Sequence, residues 1–539
     1  MNIFKKNHFK VFLFVFFGFI IFLQGLILLP PLDRDESRFA SASKNMIETK
    51  DFIDIELEGV KRYKKPIGIY WAQVSSTLLL GDPPYDEIWT YRIPSLLGVL
   101  LSIVLIYLYA SKFYDRNIAV LSSFFLIASL LIISEIHQAK SDGLLLFFIT
   151  FCNLTLLDKL IYERSPNSKS MLLFWISLSL GTLIKGPIIL LFVFLPVVFY
   201  FLFTKDYFIF TYIKSKLGLS IFLFLVLPWF IIITIKSDGL FWHESLINDL
   251  FNKVKSGQES HGFIPGYYFI LLFIFFWPGC MFIFAFLKDL FLRIKNKSKF
   301  KKSHIFILCW FFVPFILYEL IPTKLPHYVL PSYPALSILI SMFVCSSKNI
   351  ESFFSKQNLT FYLLFPTTIF GIFYFVTLEY SSINYQLFVV YFILLIPLSI
   401  SVIFFFKRKY NLFYISALFF QIFTYHSLIY FLSPKMEKFW IAKKINEEIS
   451  KNQNMNIFHY GFNEPSLVFL VSHKAKRLPP KEMSKISASS SNNLFILTSE
   501  SSSNFLALLK KTNNVNLIKI FEGFNYSQGK YIKIFFYKN

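Results

Sequence analysis

Cysteine, glycine and acidic residues are all sparse in this chain. It has 4 cysteines among 539 residues, all within or at the ends of apolar segments, and their spacing fits neither a disulfide framework nor a thiolate metal site. Its 19 glycines form no nucleotide-binding glycine-rich loop. The 32 acidic residues are outnumbered by 54 basic ones, but the basic residues are dispersed between apolar segments. This dispersal argues against nucleic acid as a partner.

Apolar sequence, by contrast, is abundant, with 55% hydrophobic residues and a mean hydropathy of +0.56. Apolar stretches of roughly 20 residues, each enough to cross about 30 Å of hydrocarbon, recur from 10 to 432, and we count about 13. The first, 10–31, is too long for a signal peptide and lacks a small-residue cleavage site. A segment at 117–134 is another of these spans. The pattern predicts a polytopic α-helical membrane protein with a transmembrane domain over 1–433.

Lysine and arginine are concentrated in alternate connections between the spans. The strongest case is the connection after the eighth span, residues 288–302. Because cationic loops resist translocation, these connections and the N-terminus are expected to be cytoplasmic. The other connections, including the long loop 33–87, then face the outside. Thirteen spans would place the C-terminal segment outside as well.

Hydrophobicity falls after residue 433, and 434–539 is predicted to form a small external α/β domain. The pattern indicates strands at 456–460 and 493–498, helices at 465–472 and 502–511, a polar loop at 484–493, and a strand pair at 515–521 and 531–536.

The densest cluster of opposed charges is Asp33-Arg34-Asp35-Glu36-Ser37-Arg38, directly after the first span. Such a cluster at a bilayer edge suits a reaction centre better than a bare loop. Two interfacial helices are expected within 33–87, at 38–49 and 67–80, with the basic run Lys61-Arg62-Tyr63-Lys64-Lys65-Pro66 between them. Basic residues on an external face predict an anionic partner. The alternative is a snorkelling interfacial patch.

A series of motifs resembles the ArnT-like glycosyltransferases, which are grouped with the protein O-mannosyltransferases in the GT-C superfamily. The resemblance covers 10 to about 345. Its motifs are Asp35-Glu36-Ser37-Arg38, Arg62-Tyr63-Lys64-Lys65-Pro66-Ile67 to Tyr70-Trp71, Tyr91-Arg92-Ile93-Pro94-Ser95, Lys140-Ser141-Asp142, Lys185-Gly186-Pro187, Pro228-Trp229, and Lys324-Leu325-Pro326-His327-Tyr328-Val329-Leu330-Pro331.

The resemblance implies inverting transfer of a sugar from an undecaprenyl-phosphate-linked donor on the periplasmic face of a bacterial inner membrane. The acceptor would be lipid A, lipopolysaccharide or another envelope molecule, and membrane lipids would be further partners. A donor of this kind needs no nucleotide-binding loop.

The same resemblance implies roles for individual residues. Carboxylates for catalysis are Asp35, which would hold or deprotonate the acceptor, Glu36 and Asp142. Donor-phosphate ligands would be Lys65, Arg38, Lys324, Tyr328 and Arg62. Acceptor or cavity residues would be Tyr63, Glu244, His261 and His327. The alternatives are that Asp35 and Asp142 cap helices and that the lysines are merely solvated.

Two questions stay open at this point. Lys64 stands where many aminoarabinose transferases have a glutamate, which leaves sugar and acceptor undecided and weakens the case for a metal there. His243, His261 and His327 have suitable ligand atoms, but their spacing matches no metal motif. No metal ligands are therefore assigned, and a divalent metal is left as an open cofactor. The alternative function is a lipid or lipid-linked-sugar transporter or flippase, which would carry ionisable residues near the bilayer midplane and not at one face.

Overall fold

The computed structural model of the chain describes residues 22–23, 25–57, 59–163, 168–252, 265–346, 355–380, 385–452, 454–471, 474–489, 491–509 and 515–539. The beginning of the first predicted span and the candidate His261 lie outside these ranges. The expectations placed on them therefore stay predictions.

Within the described ranges, 8 helices are long and apolar enough to cross a membrane. They are Ile88–Phe113, Asp142–Tyr162, Lys216–Lys236, Lys302–Leu320, Pro326–Ser346, Lys356–Val376, Val389–Phe406 and Tyr410–Lys435. The segment predicted as a span at 117–134 contains two helices, Arg116–Ile127 and Leu130–Ile136, bent by 58° at a short break; together they are long and apolar enough for one broken span or a re-entrant loop. The polytopic α-helical class is confirmed, and the number 13 stays a prediction.

Shorter helices complete the membrane-associated part. The α-helices are Asp35–Thr49, Gly68–Leu80, Ser168–Lys185, Ile188–Thr204, Leu240–Trp242, Tyr267–Phe275 and Ile283–Lys295. The 3-10 segments Tyr207–Thr211, Gly279–Phe282 and Pro326–Ser332 and the π-helix His243–Phe251 also belong here. Helices are thus present at both positions predicted within 33–87. Between them, strands β1 (Glu56–Leu57) and β2 (Val60–Lys61) pair as a small hairpin. We call Asp35–Thr49 the Asp35 helix.

Two close backbone approaches bring the loops of the later site together. A Cβ atom on Gly98 would lie 2.3 Å from the carbonyl oxygen of Gly143, so only glycine lets the Ile88–Phe113 and Asp142–Tyr162 helices cross this tightly. A Cβ on Gly68 would lie 2.7 Å from the backbone of Leu183. The first contact positions the residues preceding Asp142, and the second brings the basic run next to the end of the Ser168–Lys185 helix.

The other end of the helix bundle has its own ion pairs. Lys302 Nζ lies 2.9 Å from Asp206, and Lys112 pairs with Asp158. These groups belong to the connections predicted to be cytoplasmic. The charged connections of the two predicted sides therefore form separate clusters.

The C-terminal segment folds around one five-stranded sheet. Strands β3 (Asn456–Tyr460), β4 (Ala475–Arg477), β5 (Asn493–Thr498), β6 (Asn516–Asn525) and β7 (Lys530–Lys538) occur in the order β4-β3-β5-β7-β6. The three strands β4, β3 and β5 are parallel, and β7 runs antiparallel to both β5 and β6. The accompanying helices are Ile441–Lys451, Pro465–Val471, Pro480–Ser489 and Ser499–Leu508. A small C-terminal α/β fold is confirmed.

The prediction of a polar loop at 484–493 is wrong over most of that range, because Pro480–Ser489 is a helix. Met483 is fully buried against Phe458 and Phe495 of the sheet, so one apolar anchor holds this serine-rich segment in place. Tertiary burial here overrides the weak helix propensity of serine.

This sheet domain, as we call the C-terminal fold, packs against the Asp35 helix and its neighbours. Ala40, Ile88 and Ala139 share one buried cluster with residues of the sheet domain. Tyr91 meets Phe469 edge to face, with ring centroids 5.3 Å apart. The sheet domain is thus seated on the structure that carries the acidic cluster.

Candidate active site

Two adjoining cavities lie where the Asp35 helix, the basic run and three interhelical connections meet. The larger has a volume of about 540 Å³ and mostly apolar walls. The smaller, of about 60 Å³, has a far more polar lining that includes Asp35, Arg62 and Lys140. Residues common to both linings are Lys64, Lys65, Asp142, Lys185, Asp249, His327 and Tyr328. A polar chamber therefore lies directly beside an apolar one.

Asp35 is the first residue of its helix, with Arg34 at the N-cap position. Its carboxylate lies 3.9 Å from Arg38 and 4.0 Å from Arg62, and its side chain is 44% exposed. Burial raises the pKa of Asp35, but the positive charges of Lys140 and Arg62 outweigh this effect, so the net shift is downward. Asp35 is therefore an ionised carboxylate that faces the polar cavity.

Two lysine–aspartate pairs line the junction of the cavities. Lys65 Nζ lies 2.5 Å from Asp249, and Lys185 Nζ lies 2.5 Å from Asp142. Asp142 is the first residue of its helix and Ser141 occupies the N-cap position, so the capping alternative does not hold; the Asp142 carboxylate accepts from Lys185 and lines both cavities. The lining of the smaller cavity holds five basic side chains and three carboxylates, and this excess of positive charge suits an anion.

The connections before Asp142 and before Pro326 complete the polar chamber. Ser95 donates to the carbonyls of Gln138 and Lys140, which fixes the loop that carries Lys140. Burial lowers the pKa of Lys140, but Glu135, Asp35 and Asp142 outweigh it and raise the pKa, so the ammonium stays charged. His327 lies 3.9 Å from Glu135, and the ring of Tyr328 lies 5.8 Å from Lys185 Nζ.

Glu36 has a different position from its neighbour in the cluster. It is 1% exposed and accepts hydrogen bonds from Arg92 Nε at 2.8 Å, from Arg92 Nη2 at 3.0 Å, and from the backbone N–H groups of Leu32 and Ala139. It is absent from the lining of either cavity. The geometry gives Glu36 a structural task, which differs from the catalytic role expected from the sequence.

The remaining candidates are scattered relative to the cavities. Tyr63 is buried and donates to Asp54 at 2.8 Å, so it holds the basic run in place and does not line either cavity. Burial and the hydrogen bond to Asp54 raise the pKa of Tyr63. Lys324 donates to the carbonyls of Tyr318 and Glu319 and is absent from both linings. Glu244, 38% exposed, accepts from Asn248 and is also absent from them. The structure therefore brings together Asp35, Arg62, Lys65, Asp142, His327 and Tyr328, with Arg38 beside Asp35.

Three residues of the site had no role predicted from the sequence, namely Asp249, Lys140 and Lys185. The two lysines stand in motifs that the resemblance rests on, at span ends on the predicted outer side, and this shared location could have marked them. Asp249 lies in the π-helix His243–Phe251, outside those motifs. Its 2.5 Å contact with Lys65 and its place in the lining of both cavities assign it to the site.

The carboxylates of the site are not arranged as ligands for a divalent metal. In the part of the chain that the structure describes, no three His, Cys, Asp or Glu side chains are arranged to hold a metal ion. Asp142 and Asp249 are each bonded to a lysine ammonium, so they do not form the open oxygen cluster that Mg²⁺ or Ca²⁺ prefers. The site's positive charge comes from its own lysines and arginines.

Comparison of the sequence with known families gives one match, to the dolichyl-phosphate-mannose-protein mannosyltransferase model over residues 64–232. A protein of Aquifex aeolicus is 28% identical, and the match covers 81% of each chain. The undecaprenyl phosphate-alpha-4-amino-4-deoxy-L-arabinose arabinosyl transferase 2 of Proteus mirabilis is 25% identical over 61% of this chain. The corresponding transferase of Photorhabdus laumondii is 24% identical over 63%. The matches span 58% and 59% of the length of these two transferases.

The structural comparison agrees with the sequence comparison and covers nearly the whole chain. The crystal structure of ArnT from Cupriavidus metallidurans bound to undecaprenyl phosphate superimposes with a TM-score of 0.72, covering 98% of both chains at 16% identity. The span-bearing bundle and the C-terminal sheet domain therefore share one architecture with ArnT. The chain therefore resembles the ArnT-like glycosyltransferases in part of its sequence and in its whole fold, and both comparisons support a glycosyltransferase.

Proposed function

We propose that the protein transfers a sugar from an undecaprenyl-phosphate-linked donor to lipid A, lipopolysaccharide or another envelope acceptor, with inversion at the anomeric carbon. The observation that supports the proposal is a polar chamber lined by Asp35 directly beside a larger apolar cavity. Undecaprenyl phosphate, which appears in the names of the arabinosyl transferases and is bound in the Cupriavidus metallidurans structure, is an amphipathic anion with one apolar and one charged end.

The two cavities match the two ends of such a donor. The apolar walls of the larger cavity include Ile188, Leu190, Leu191, Phe192, Phe230, Phe241, Trp242 and Ile321. A polyprenyl chain would gain about 0.8 kcal/mol for each methylene-sized unit removed from water. Lys65 and Lys185, at the junction, would hold the phosphate, and the sugar would extend toward Asp35.

The reaction needs a nucleophile on one side of the sugar and a stabilised leaving group on the other. The acceptor oxygen attacks the anomeric carbon while the bond from that carbon to the phosphate oxygen breaks, and the electron pair leaves with undecaprenyl phosphate. The phosphate gains one negative charge in this step, which Lys65, Lys185 and Arg62 would offset. If the acceptor is a hydroxyl, its proton passes to the Asp35 carboxylate, and if it is already a phosphate, Asp35 orients it.

We further propose that this site faces the periplasm, with the N-terminus in the cytoplasm and the sheet domain in the periplasm. The positive-inside rule supports this orientation, because the connections richest in lysine belong to the opposite predicted side. Cysteine labelling with a membrane-impermeant maleimide tests it. Asp82→Cys, in the exposed part of the 33–87 loop, should react in intact spheroplasts, and Lys297→Cys should react only after lysis.

The central experiment compares the wild-type chain with Asp35→Asn at matched expression, by mass spectrometry of envelope glycolipids and glycoproteins. One glycan should disappear in the variant while its undecaprenyl-phosphate donor accumulates, and the lost glycan identifies sugar and acceptor. Loss of a positioned base or orienting group should reduce turnover by about 10²-fold or more, with donor binding retained. Asp82→Asn, an exposed carboxylate in the same loop, is the matched control.

The transport alternative gives a different pattern. If the protein were a flippase, Asp35→Asn would leave every glycan linkage unchanged. The variant would change only the side of the membrane on which the donor lipid accumulates. An unchanged glycan profile in Asp35→Asn would contradict the proposed role of Asp35 and favour transport.

A further inference from the structure

The residue directly before Asp35 has an unusual backbone conformation. Arg34 has φ 68° and ψ −122°, a region that side chains with a Cβ rarely adopt. Such a conformation persists only when the surrounding contacts hold it in place. Because Arg34 is the N-cap residue, its backbone sets the direction in which the Asp35 helix begins.

The contacts that hold this segment come from the sheet domain, between 433 and 493 residues away in sequence. The backbone N–H of Asp33 donates to the Tyr526 hydroxyl at 2.7 Å, and Arg34 Nη2 donates to the Ser527 carbonyl at 2.6 Å. A third contact comes from the backbone N–H of Ser466, which donates to Asp33 Oδ1 at 3.2 Å. Hydrogen bonds with the sheet domain therefore hold Asp33 and Arg34, the two residues directly before Asp35.

The turn that supplies two of these contacts is itself tightly braced. It connects β6 to β7, and Asn525 Oδ1 accepts from the backbone N–H groups of Ser527 and Gln528. Asn525 and Gln528 both donate to Glu464, at 2.8 and 3.0 Å. The Tyr526 ring stacks on Phe439, with centroids 6.1 Å apart. A rigid turn can fix the position of the segment that it contacts.

We propose that Tyr526 is a positioning residue for Asp35, through which the hairpin turn of the sheet domain aims the catalytic carboxylate into the polar cavity. This inference rests on the proposed function. Tyr526 is absent from the lining of both cavities, so its effect passes through Asp33 and Arg34. The sheet domain then contributes to the rate of the chemical step and not only to the solubility or stability of the chain.

The test is a steady-state comparison of Tyr526→Phe with wild type in the full-length protein, with rates normalised to titrated donor-binding sites. Removing one hydroxyl leaves the ring stacking in place, and loss of one hydrogen bond at a positioned segment should lower kcat about three- to tenfold. The KM for donor should not change, because Lys65 and Lys185 are untouched. Tyr531→Phe, on β7 of the same hairpin, is the control and should keep the wild-type kcat.

Two further measurements distinguish a loss of positioning at Asp35 from a general loss of folded protein. Arg34→Gly removes the contact with Ser527 but permits φ 68° without strain, and it should also lower kcat at constant donor KM. Hydrogen–deuterium exchange of the amides at 33–38 should be faster in Tyr526→Phe than in wild type and Tyr531→Phe. An unchanged kcat with unchanged exchange would overturn the inference, as would a loss of activity that only mirrors the loss of folded protein.

A wild-type protein that transfers sugar from no donor would instead refute the proposed function. Exchange at 33–38 would then still decide whether the turn holds this segment, because that measurement needs no turnover. Failure of the function and failure of the positioning contact are thus separable.

Discussion

Glu36→Gln should unfold the protein at a lower temperature, and not merely inactivate it. The Glu36 carboxylate accepts four hydrogen bonds in a buried position, two of them from Arg92. Glutamine can accept at only one terminal atom, so its amide N–H₂ would face Arg92 or a backbone N–H donor. Arg92 is fully buried, and its other hydrogen bonds go to the carbonyls of Leu26, Leu29 and Pro30.

Removing one partner of a buried ion pair typically costs about 3–5 kcal/mol, because the other charge stays buried without compensation. Thermal unfolding of the detergent-purified protein, followed by tryptophan fluorescence and by recovery on size exclusion, measures this loss. Glu87→Gln, an exposed carboxylate at the start of the Arg92-bearing helix, is the control and should change stability little. The double variant Glu36→Leu/Arg92→Met should be less destabilised than the sum of the corresponding single variants.

The result that would refute this reasoning is specific. If Glu36→Gln keeps the wild-type unfolding midpoint but loses turnover, Glu36 belongs to the catalytic machinery, as expected from the sequence. The hydrogen bonds to Arg92 would then not be its main function.

Three further outcomes are expected. Lys65→Ala should lower turnover about 10²-fold, as loss of one charge-stabilising group does, whereas the exposed Lys50→Ala should not, measured with saturating donor. Burial raises the pKa of Asp33 to about 6, so the stability of the folded state falls as pH rises from about 4 through 6. Asp33→Asn should therefore increase the unfolding free energy by at most about 3 kcal/mol at pH 7 and hardly at all at pH 4. Denaturant titration at the two pH values measures this difference. Lys44, buried and bonded to Asp86 at 2.5 Å and to the Phe469 carbonyl at 3.1 Å, links the Asp35 helix to the sheet domain, so Lys44→Met should speed limited proteolysis within that domain.

Much of the architecture was predictable because it follows from local properties of the chain. The length of an apolar stretch determines whether it can cross a bilayer, and alternating hydrophobicity marks a strand wherever the strand ends up. The membrane class, the helices within 33–87 and most elements of the sheet domain were predicted on these grounds. The clearest failure was also local: a serine-rich stretch predicted as a polar loop proved to be the helix Pro480–Ser489.

The site could be predicted in part, because its members stand at span ends that face the same side. Asp35, Lys65, Asp142 and His327 were expected there, and they line the cavities. What the sequence cannot show is which neighbour in a charged cluster faces the cavity. Asp35 and Glu36 are adjacent and chemically alike, yet on a helix successive side chains point about 100° apart, and only packing against Arg92 decides which of them is buried.

The amino-acid sequence by itself determined that this is a many-spanned, ArnT-like membrane protein with a dense cluster of opposed charges directly after its first span. Only the tertiary structure decided that Asp249 meets Lys65, that Lys324 binds backbone carbonyls, and that Tyr526 reaches the residue pair before Asp35. These contacts join residues whose proximity depends on how helices and the sheet domain pack. Hydropathy and motifs describe each segment separately and contain no information about that packing.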